Sequence, residues 1–400
     1  MTPSHRRLTR LKRMRSAAEN PCEGPCLPMP STLYGPVRRA LVLAGGGITG
    51  GLYEIGALMA LDALFVNTSV REFDLYVGTS AGAFVAALVA NNVSPARIRD
   101  TLEHDRRTLP HLTVSQFLSV PWRTHLATLP RMAAALPGVA QHLWTNWGDA
   151  LVLDTLGSLL NHLPAGLLSV DGLEHYVRRV LTTGGRSNEF RRLRRRLLIP
   201  ATKLDTGEIH VFGEYRGDAT PISRAVAASA AVPILFEPVR IDGVDYVDGA
   251  VGKTAHTRLA IDRGARLVVL VNPLRPLVLD GATPRPLREG GALTIAAQSF
   301  RVALHRRLRE GLKRHAYEHP DTDVVLLEPH HADVQHFDVP LMTYGLRHEV
   351  VRRGYRTTIK TMLAEYDRHQ ALFARHGIEL VPRAAIEKRA RRWTRASDAA

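Results

Sequence analysis

The sequence is poor in several features that would assign a protein to a particular class. It has two cysteines in 400 residues, and Cys22 and Cys26 lie together in a proline-rich stretch with no second pair, so we expect neither a disulfide framework nor a metal site. The longest run of apolar or small residues, Ala81 to Ala90, is too short to cross a bilayer, and no apolar segment follows the basic N-terminus. These absences predict a cytoplasmic protein with at most peripheral membrane contact.

Positive charge is abundant but unevenly distributed. The net charge is +15, and ten of these charges lie in residues 1–39 and 383–400. The low net charge of the residues between these ends argues against a fold built around nucleic acid. The basic ends could bind an anionic surface such as lipid or RNA, or could only aid solubility. We predict a basic, proline-rich, disordered tail over 1–37, one folded domain over 38–380 and a basic tail over 381–400.

Strand and helix patterns alternate along the folded domain. A buried strand over 39–44, a glycine loop over 45–51 and a helix over 52–65 form one unit. A strand over 73–77, a tight turn and a helix over 83–90 form the next. Later strands are expected at 197–199, 209–212, 267–271 and 324–327. This alternation predicts an α/β fold with a mainly parallel sheet.

Residues 105–175 interrupt the alternation with helical, leucine- and alanine-rich pieces that five prolines break. They hold three of the four tryptophans, Trp122, Trp144 and Trp147. Tryptophan is favoured both at lipid–water boundaries and in ordinary packing. The segment is therefore interpreted either as a helical cap over a site or as plain core helices.

The pattern Gly78-Thr-Ser80-Ala-Gly82 carries the strongest chemical signal. Between a strand and a helix, G-x-S-x-G forms a nucleophile elbow, in which a strained serine presents its hydroxyl and the flanking glycines avoid clashes where strand and helix pass closely. We therefore predict that Ser80 is a nucleophile rather than part of a structural turn.

A glycine-rich segment upstream could supply the hydrogen-bond donors that a serine nucleophile needs. Backbone amides of Gly45, Gly46, Gly47 and Gly50 can converge on a developing oxyanion at the N-terminus of the following helix. The same residues also fit the dinucleotide pattern G-x-G-x-x-G. That alternative needs an acidic residue at the end of the second strand, whereas Asp74 lies at its beginning.

A base is predicted in a hairpin far downstream. Asp242-Gly243 is a two-residue turn signal between two short strands, so Asp248 ends the returning strand, and Gly249-Ala250 lets the chain turn away. Asp245 is the nearest rival, but strand alternation places it on the opposite face. In the alternative interpretation, Asp248 only accepts hydrogen bonds from nearby backbone amides and has no catalytic role.

These three motifs, in this order and spacing, resemble those of the patatin-like phospholipases over roughly residues 38–360. The resemblance implies a three-layer α/β/α sandwich and hydrolysis of lipid esters by a serine/aspartate dyad without histidine. Ser80 would attack the ester carbonyl and Asp248 would assist proton transfer. Backbone groups of the glycine loop would form the oxyanion hole, with Gly78, Gly82, Gly249 and Ala250 completing the motifs. No metal or cofactor is implied, and a lipid ester is the expected partner.

Two positions depart from the family pattern. Thr49 stands where many members carry Arg or Lys, and Gly252-Lys253-Thr254-Ala255-His256 replaces the usual continuation after the aspartate motif. With threonine at position 49, the glycine loop lacks a positive charge that could help to stabilise an anion. The departures therefore leave neutral acyl esters, including glycerides and lysolipids, open beside diacyl phospholipids.

Two other classes of protein remain open. A Ser-His-Asp hydrolase would need a base histidine late in the chain, and the candidates are His256, His315, His330, His331, His336 and His348. Transfer of the acyl group to an alcohol or thiol, instead of to water, is also open. A non-catalytic lipid- or RNA-binding protein would use the basic runs 191–196 and 301–315. Such runs are usually solvated helix faces, and these lack interleaved aromatic residues, so we expect no specific nucleic-acid partner.

Overall fold

A computed structural model of the chain describes residues 36–102, 109–110, 164–215, 218–278, 286–330 and 344–388, with short stretches between 119 and 137. These residues belong to one compact unit, Pro36–Ala400. The N-terminal tail, for which disorder is predicted, lies almost entirely outside the described residues. The same holds for most of the helical segment 105–175 and most of the C-terminal tail.

Strands and helices alternate along most of the described chain. The strands are β1 (Arg39–Leu43), β2 (Leu75–Gly78), β3 (Gly166–Leu168), β4 (Arg196–Lys203), β5 (Ile209–Phe212), β6 (Ile234–Phe236), β7 (Val239–Ile241), β8 (Val244–Asp248), β9 (Leu267–Val271) and β10 (Asp323–Leu327). The helices are α1 (Gly47–Leu64), α2 (Ala81–Ala90), α3 (Pro95–Asp100), α4 (Asp171–Leu181), α5 (Ile222–Ala230), α6 (Thr257–Ile261), α7 (Gly291–Glu318), α8 (Arg347–Ala364) and α9 (Tyr366–Arg375).

The main sheet has the strand order β10-β9-β1-β2-β4-β8-β7, and β5 also pairs with β4. Strands β10, β9, β1, β2 and β4 are parallel, so their carboxyl ends meet at one edge. Strands β5 and β8 run antiparallel to β4, and β7 runs antiparallel to β8. Because β8 ends beside β4, the hairpin delivers Asp248 to a central strand of the sheet.

Helices cover both faces of this sheet. Alternate residues of β1, β2 and β9 point into two separate apolar clusters. Helices α1, α2, α4, α5 and α8 contribute to the first cluster, whereas α6 and α7 contribute to the second. The alternation of side chains along buried parallel strands therefore produces the three-layer α/β/α sandwich with a mainly parallel sheet, as expected.

The predicted strands are present, although the strand expected at 197–199 extends over Arg196–Lys203 and the one expected at 73–77 is Leu75–Gly78, and the helix starts need correction. Strands 209–212 and 267–271 have the predicted bounds. The loop predicted over 45–51 is wrong in extent, because α1 begins at Gly47. Added Cβ atoms at Gly50 and Gly51 would lie 3.1 Å from the Pro273 ring and 3.3 Å from Ala81. Close packing of the first turns of α1 thus outweighs the poor helix propensity of glycine.

The basic run 191–196 is a second correction. A short 3-10 turn over Phe190–Arg192 leads through bends at Arg194 and Arg195 into β4, so the run is not an α-helical face. Among the described residues, no helix has both the length and the hydropathy needed to span a membrane.

Candidate active site

Ser80 occupies a strained turn between β2 and α2. Its φ of 55° and ψ of −124° lie in a region that residues other than glycine rarely adopt. The Ser80 amide donates to Ser229 Oγ at 3.0 Å, and the Ser229 hydroxyl donates to the carbonyl of Pro200 at 2.7 Å. This buried chain of hydrogen bonds connects the turn to α5 and β4 and so holds the strained conformation in place.

Glycines 78 and 82 are required by close backbone contacts. A Cβ atom at Gly78 would lie 2.5 Å from the carbonyl oxygen of Gly82, and one at Gly82 would lie 2.5 Å from that of Leu43. Such distances are well inside van der Waals contact, so any side chain would force the strand and helix apart. The turn is therefore built as the elbow pattern predicts.

The glycine segment after β1 lies directly against Ser80. A Cβ atom at Gly45 would be 3.1 Å from the Cβ of Ser80. The Gly45 amide donates to the carbonyl of Thr254 at 3.4 Å, and the Gly50 amide donates to that of Gly46 at 2.9 Å. These two amides are thus engaged, which leaves those of Gly46 and Gly47 at the N-terminus of α1 as the remaining donors of the predicted set.

Asp248 lies beneath the serine at the end of β8. Asp248 is 3% exposed, lies close enough to the Ser80 hydroxyl for that group to affect its pKa, and accepts the Ala250 amide at 2.7 Å. Burial raises the pKa of Asp248 to about 6, although the interactions with Ser80 and Ala250 oppose the shift. The structure therefore brings together the two side chains that the motifs single out.

The residues after Asp248 hold the carboxylate in position. A Cβ atom at Gly249 would lie 2.4 Å from the carbonyl oxygen of Pro200, so the chain can pass β4 here only with glycine. The side chain of His256 is buried, with Nε2 3.3 Å from the Gly249 carbonyl oxygen. Burial lowers the pKa of His256 to about 4, so the neutral ring donates from Nε2 to this carbonyl.

Of the two departures from the family pattern, Thr49 is buried, and Thr254 and His256 are the buried polar residues of the segment 252–256. Thr49 lies in the first turn of α1. Thr254 accepts the Gly45 amide and donates its hydroxyl to the carbonyl of Leu304 in α7 at 3.3 Å. The segment after Asp248 therefore stabilises the glycine turn through the hydrogen bond between the Gly45 amide and the Thr254 carbonyl.

The rival acidic residues have structural roles instead. Asp245 is paired with Arg240 at 3.0 Å on the exposed side of the hairpin. Asp74 accepts the amides of Arg38 and Arg39, both at 2.9 Å, at the beginning of β2. This position does not provide the acid at a strand end that the dinucleotide alternative requires. Among the rival histidines, His331 and His336 lie outside the described residues.

An apolar cavity opens beside Ser80. It is lined by Gly47, Ile48, Gly51, Leu52, Ile55, Ser80, Ala81, Phe84, Leu102, Val170, Leu173, Ala230, Val232, Phe236 and Tyr344. Sequence reasoning identified the serine but not this lining or Ser229, because the lining comes from segments far apart in the chain. In the part of the chain that the structure describes, no group of three or more His, Cys, Asp or Glu side chains could hold a metal ion.

Comparison with known proteins assigns the chain to a family. The family model "Patatin-like phospholipase" matches residues 41–261, which is more than half of the chain. The chain belongs to the patatin-like phospholipase family. Membership confirms the resemblance that the motifs indicate. The matched range contains the glycine segment, the serine elbow and Asp248.

Individual relatives match over shorter lengths or at low identity. A cUMP-AMP-activated phospholipase of Escherichia coli is 43% identical over 54 residues, which are 14% of this chain and 17% of that protein. The chain thus matches less than a fifth of this curated patatin-like relative. VipD of Legionella pneumophila is 15% identical, with 81% of this chain and 66% of that chain covered and a TM-score of 0.35. ExoU of Pseudomonas aeruginosa, in complex with SpcU, is 15% identical, with 82% and 53% covered and a TM-score of 0.32.

Proposed function

We propose that this protein hydrolyses carboxylic esters of lipids through a Ser80/Asp248 dyad. The observation that carries the proposal is the proximity of the Ser80 side chain to the buried Asp248 carboxylate at the edge of an apolar cavity. A serine needs an adjacent base because its hydroxyl is a weak nucleophile at its ordinary pKa. The raised pKa of Asp248 makes this carboxylate a stronger base than an ordinary aspartate.

The reaction would proceed in two steps. Ser80 Oγ attacks the ester carbonyl carbon while its proton passes to Asp248, and the amides of Gly46 and Gly47 stabilise the oxyanion. The alcohol then leaves with the proton from Asp248, and the acyl group remains on Ser80. Water attacks this acyl-enzyme with Asp248 again as the base, which releases the fatty acid and restores the serine.

Ester hydrolysis is expected to depend on pH through Asp248. The dyad needs the ionised carboxylate, and the pKa of this group is about 6. We therefore expect kcat/KM to fall about tenfold for each pH unit below 6 and to level off above about 7. A soluble short-chain ester measured at constant ionic strength gives this profile, with circular dichroism to establish folding at each pH. Full activity at pH 5 would rule out a base with this pKa.

The acyl chain is expected to occupy the apolar cavity. Val232 lines it at a half-buried position, so a larger side chain can enter the cavity without disrupting the core. We expect Val232→Trp to lower the ratio of kcat/KM for long-chain over short-chain esters by about tenfold, since about 1–3 kcal/mol of apolar contact is lost. Hydrolysis rates for a series of acyl esters measure this ratio.

Val66→Trp is the matched control for this experiment. Val66 is 55% exposed and follows the end of α1, outside the cavity lining. This variant should keep the wild-type chain-length profile. If Val232→Trp also keeps that profile, the acyl chain lies elsewhere. If wild type hydrolyses no ester of the series, the proposed reaction itself fails.

Exposed apolar side chains around β3 and β6 support a membrane contact near the cavity. These strands pair at Gly166 and Ile234, and β6 also carries the cavity residue Phe236. The residues with more than half of their surface exposed here are Val120, Trp122, Leu126, Leu167 and Ile234. Exposed apolar groups of this size often mark a surface that meets a partner or lipid. We infer that they guide lipid to the cavity.

Loss of two of these groups should separate membrane binding from catalysis. We expect Trp122→Gln with Ile234→Asn to weaken binding to phosphatidylcholine vesicles by about tenfold, from the apolar area lost. Asparagine tolerates the φ of 74° at position 234, and a soluble short-chain ester should be hydrolysed at the wild-type rate. The control, Tyr317→Gln with Val66→Asn, removes exposed apolar groups elsewhere. Equal vesicle binding by both double variants would refute this surface.

A further inference from the structure

A second cavity, with a polar lining, lies away from the serine. It is lined by residues that precede β2 and β4, by residues at or after the ends of α2 and α4, and by Arg97 of α3. Ser80 begins α2 and Asn91 follows its end, so the ten-residue helix separates the two sites by about 15 Å. The polar cavity is therefore at the edge of the sheet opposite the proposed catalytic dyad.

Arginine dominates the lining of this cavity, which we call the arginine pocket. Its cationic residues are Arg71, Arg97, Arg186, Arg192, Arg194 and Arg195, and Glu72 is the carboxylate among the lining residues. The last three belong to the basic run 191–196 that the sequence analysis singled out. Because the run forms one 3-10 turn followed by bends rather than a regular α-helix, it brings these side chains to one wall of a cavity instead of spreading them along a solvated helix.

Most of this positive charge has no internal counterion. Arg195 pairs with Asp74 at 3.4 Å and Arg192 with Glu189 at 3.1 Å. Among the described residues, no carboxylate forms an ion pair with any of the other four arginines of the pocket. The ends of α2 and α4 contribute about half a negative charge each, which leaves a clear positive excess. Burial and the nearby charge of Arg97 lower the pKa of Arg186, as expected for crowded cations.

Several of these groups are held in place without a ligand. Arg71 Nη1 donates to Asn92 Oδ1 at 3.2 Å, and Arg186 Nε donates to the carbonyl of Val180 at 2.7 Å. Asn91 Oδ1 accepts the Ser187 amide at 2.7 Å, which fixes the loop through Gly184 and Gly185 against the end of α2. Positioned guanidinium groups lose little freedom on binding, so a ligand gains more from each contact.

We propose that the arginine pocket binds a soluble small molecule that carries at least two phosphate groups. Guanidinium groups recognise phosphate oxygens through paired, charge-assisted hydrogen bonds, and four such groups without a carboxylate partner exceed what one phosphate needs. A soluble ligand is favoured over a lipid headgroup because the pocket faces away from the Ser80 edge. A membrane bound here would hold the acyl cavity away from its lipid.

Binding of inorganic tripolyphosphate to the full chain tests this proposal by calorimetry. The variant Arg97→Gln with Arg194→Gln removes two of these guanidinium groups, neither of which forms a hydrogen bond or ion pair with another side chain among the described residues. We expect it to weaken the tripolyphosphate Kd by about tenfold or more. The control, Arg309→Gln with Arg314→Gln, makes the same change of charge on α7, on the other face of the sheet, and should stay within about twofold of wild type.

Vesicles distinguish the two sources of phosphate. We expect the pocket variant to bind phosphatidylcholine vesicles containing phosphatidylinositol bisphosphate as well as the control variant does. The proposal is overturned if wild type binds no tripolyphosphate, if both double variants lose binding equally, or if only vesicles bind and the pocket variant abolishes that binding. None of these measurements depends on ester hydrolysis, so they test the proposed phosphate site independently of the proposed Ser80/Asp248 dyad.

Discussion

Ser80→Ala is expected to reduce ester hydrolysis by about 10⁴-fold or more while the fold is retained. The proposed reaction has no nucleophile without the hydroxyl, and the loss of a serine nucleophile is among the largest effects known for enzyme variants. The bond that holds the elbow should survive, because the backbone amide of residue 80, not its side chain, donates to Ser229. The measurement is kcat/KM for one short-chain and one long-chain ester.

Ser299→Ala is the matched control for the serine variant. Ser299 lies on the exposed side of α7, so its loss should leave both rates within about twofold of wild type. A Ser80→Ala variant that unfolds at the wild-type temperature and still hydrolyses esters at more than a tenth of the wild-type rate would remove Ser80 from the reaction.

Asp248→Asn is expected to lower kcat by about 10²- to 10⁴-fold and to stabilise the fold at neutral pH. The amide cannot accept the proton of Ser80 but can still accept the Ala250 amide through Oδ1. Burial raises the pKa of Asp248 from 3.8 to about 6, which corresponds to a cost of about 3 kcal/mol for the ionised form. We therefore expect the melting temperature to rise by a few degrees at pH 7.5.

The sign of this stability effect depends on pH. The folded state binds the Asp248 proton more tightly than the unfolded state, so this group lowers wild-type stability as pH rises from about 4 to about 6. Above that range the full cost remains, and below it the cost disappears. The melting temperatures of wild type and Asp248→Asn should therefore converge near pH 4.

Asp245→Asn is the control on the same hairpin. It removes an exposed carboxylate paired with Arg240, so activity should stay within about twofold and no such pH-dependent gain should appear. An Asp248→Asn variant that keeps wild-type kcat would contradict the assignment of the base. An equal gain in melting temperature at pH 4 and pH 7.5 would contradict a buried ionised carboxylate.

Features that depend on a few neighbouring residues could be predicted from the sequence. The strand before Gly78 and the apolar helix after Gly82 identify the elbow, because the backbone geometry of that turn needs glycine at both places. The Asp242-Gly243 signal sets the hairpin and thereby the face on which Asp248 lies. Strands β5 and β9 were predicted at their observed bounds because both are short runs of β-favouring residues.

Features that depend on contacts between distant segments could not be predicted. The start of α1 at Gly47 depends on Pro273 and Ala81, and the support of the elbow depends on Ser229 in α5. The helix expected for the basic run 191–196 does not form, since its last residue begins a central strand. Both cavities are assembled from residues that the chain brings together only after folding, so the basic run 191–196 marks part of one wall but no local pattern indicates a cavity.

Covalent labelling with a long-chain alkyl fluorophosphonate, followed by peptide mass mapping, tests the dyad most directly. The account predicts one adduct, on Ser80, formed at a rate that falls below pH 6 and is strongly reduced in Asp248→Asn. An adduct on another residue, no adduct, or a labelling rate that does not change when Asp248 is replaced would contradict it.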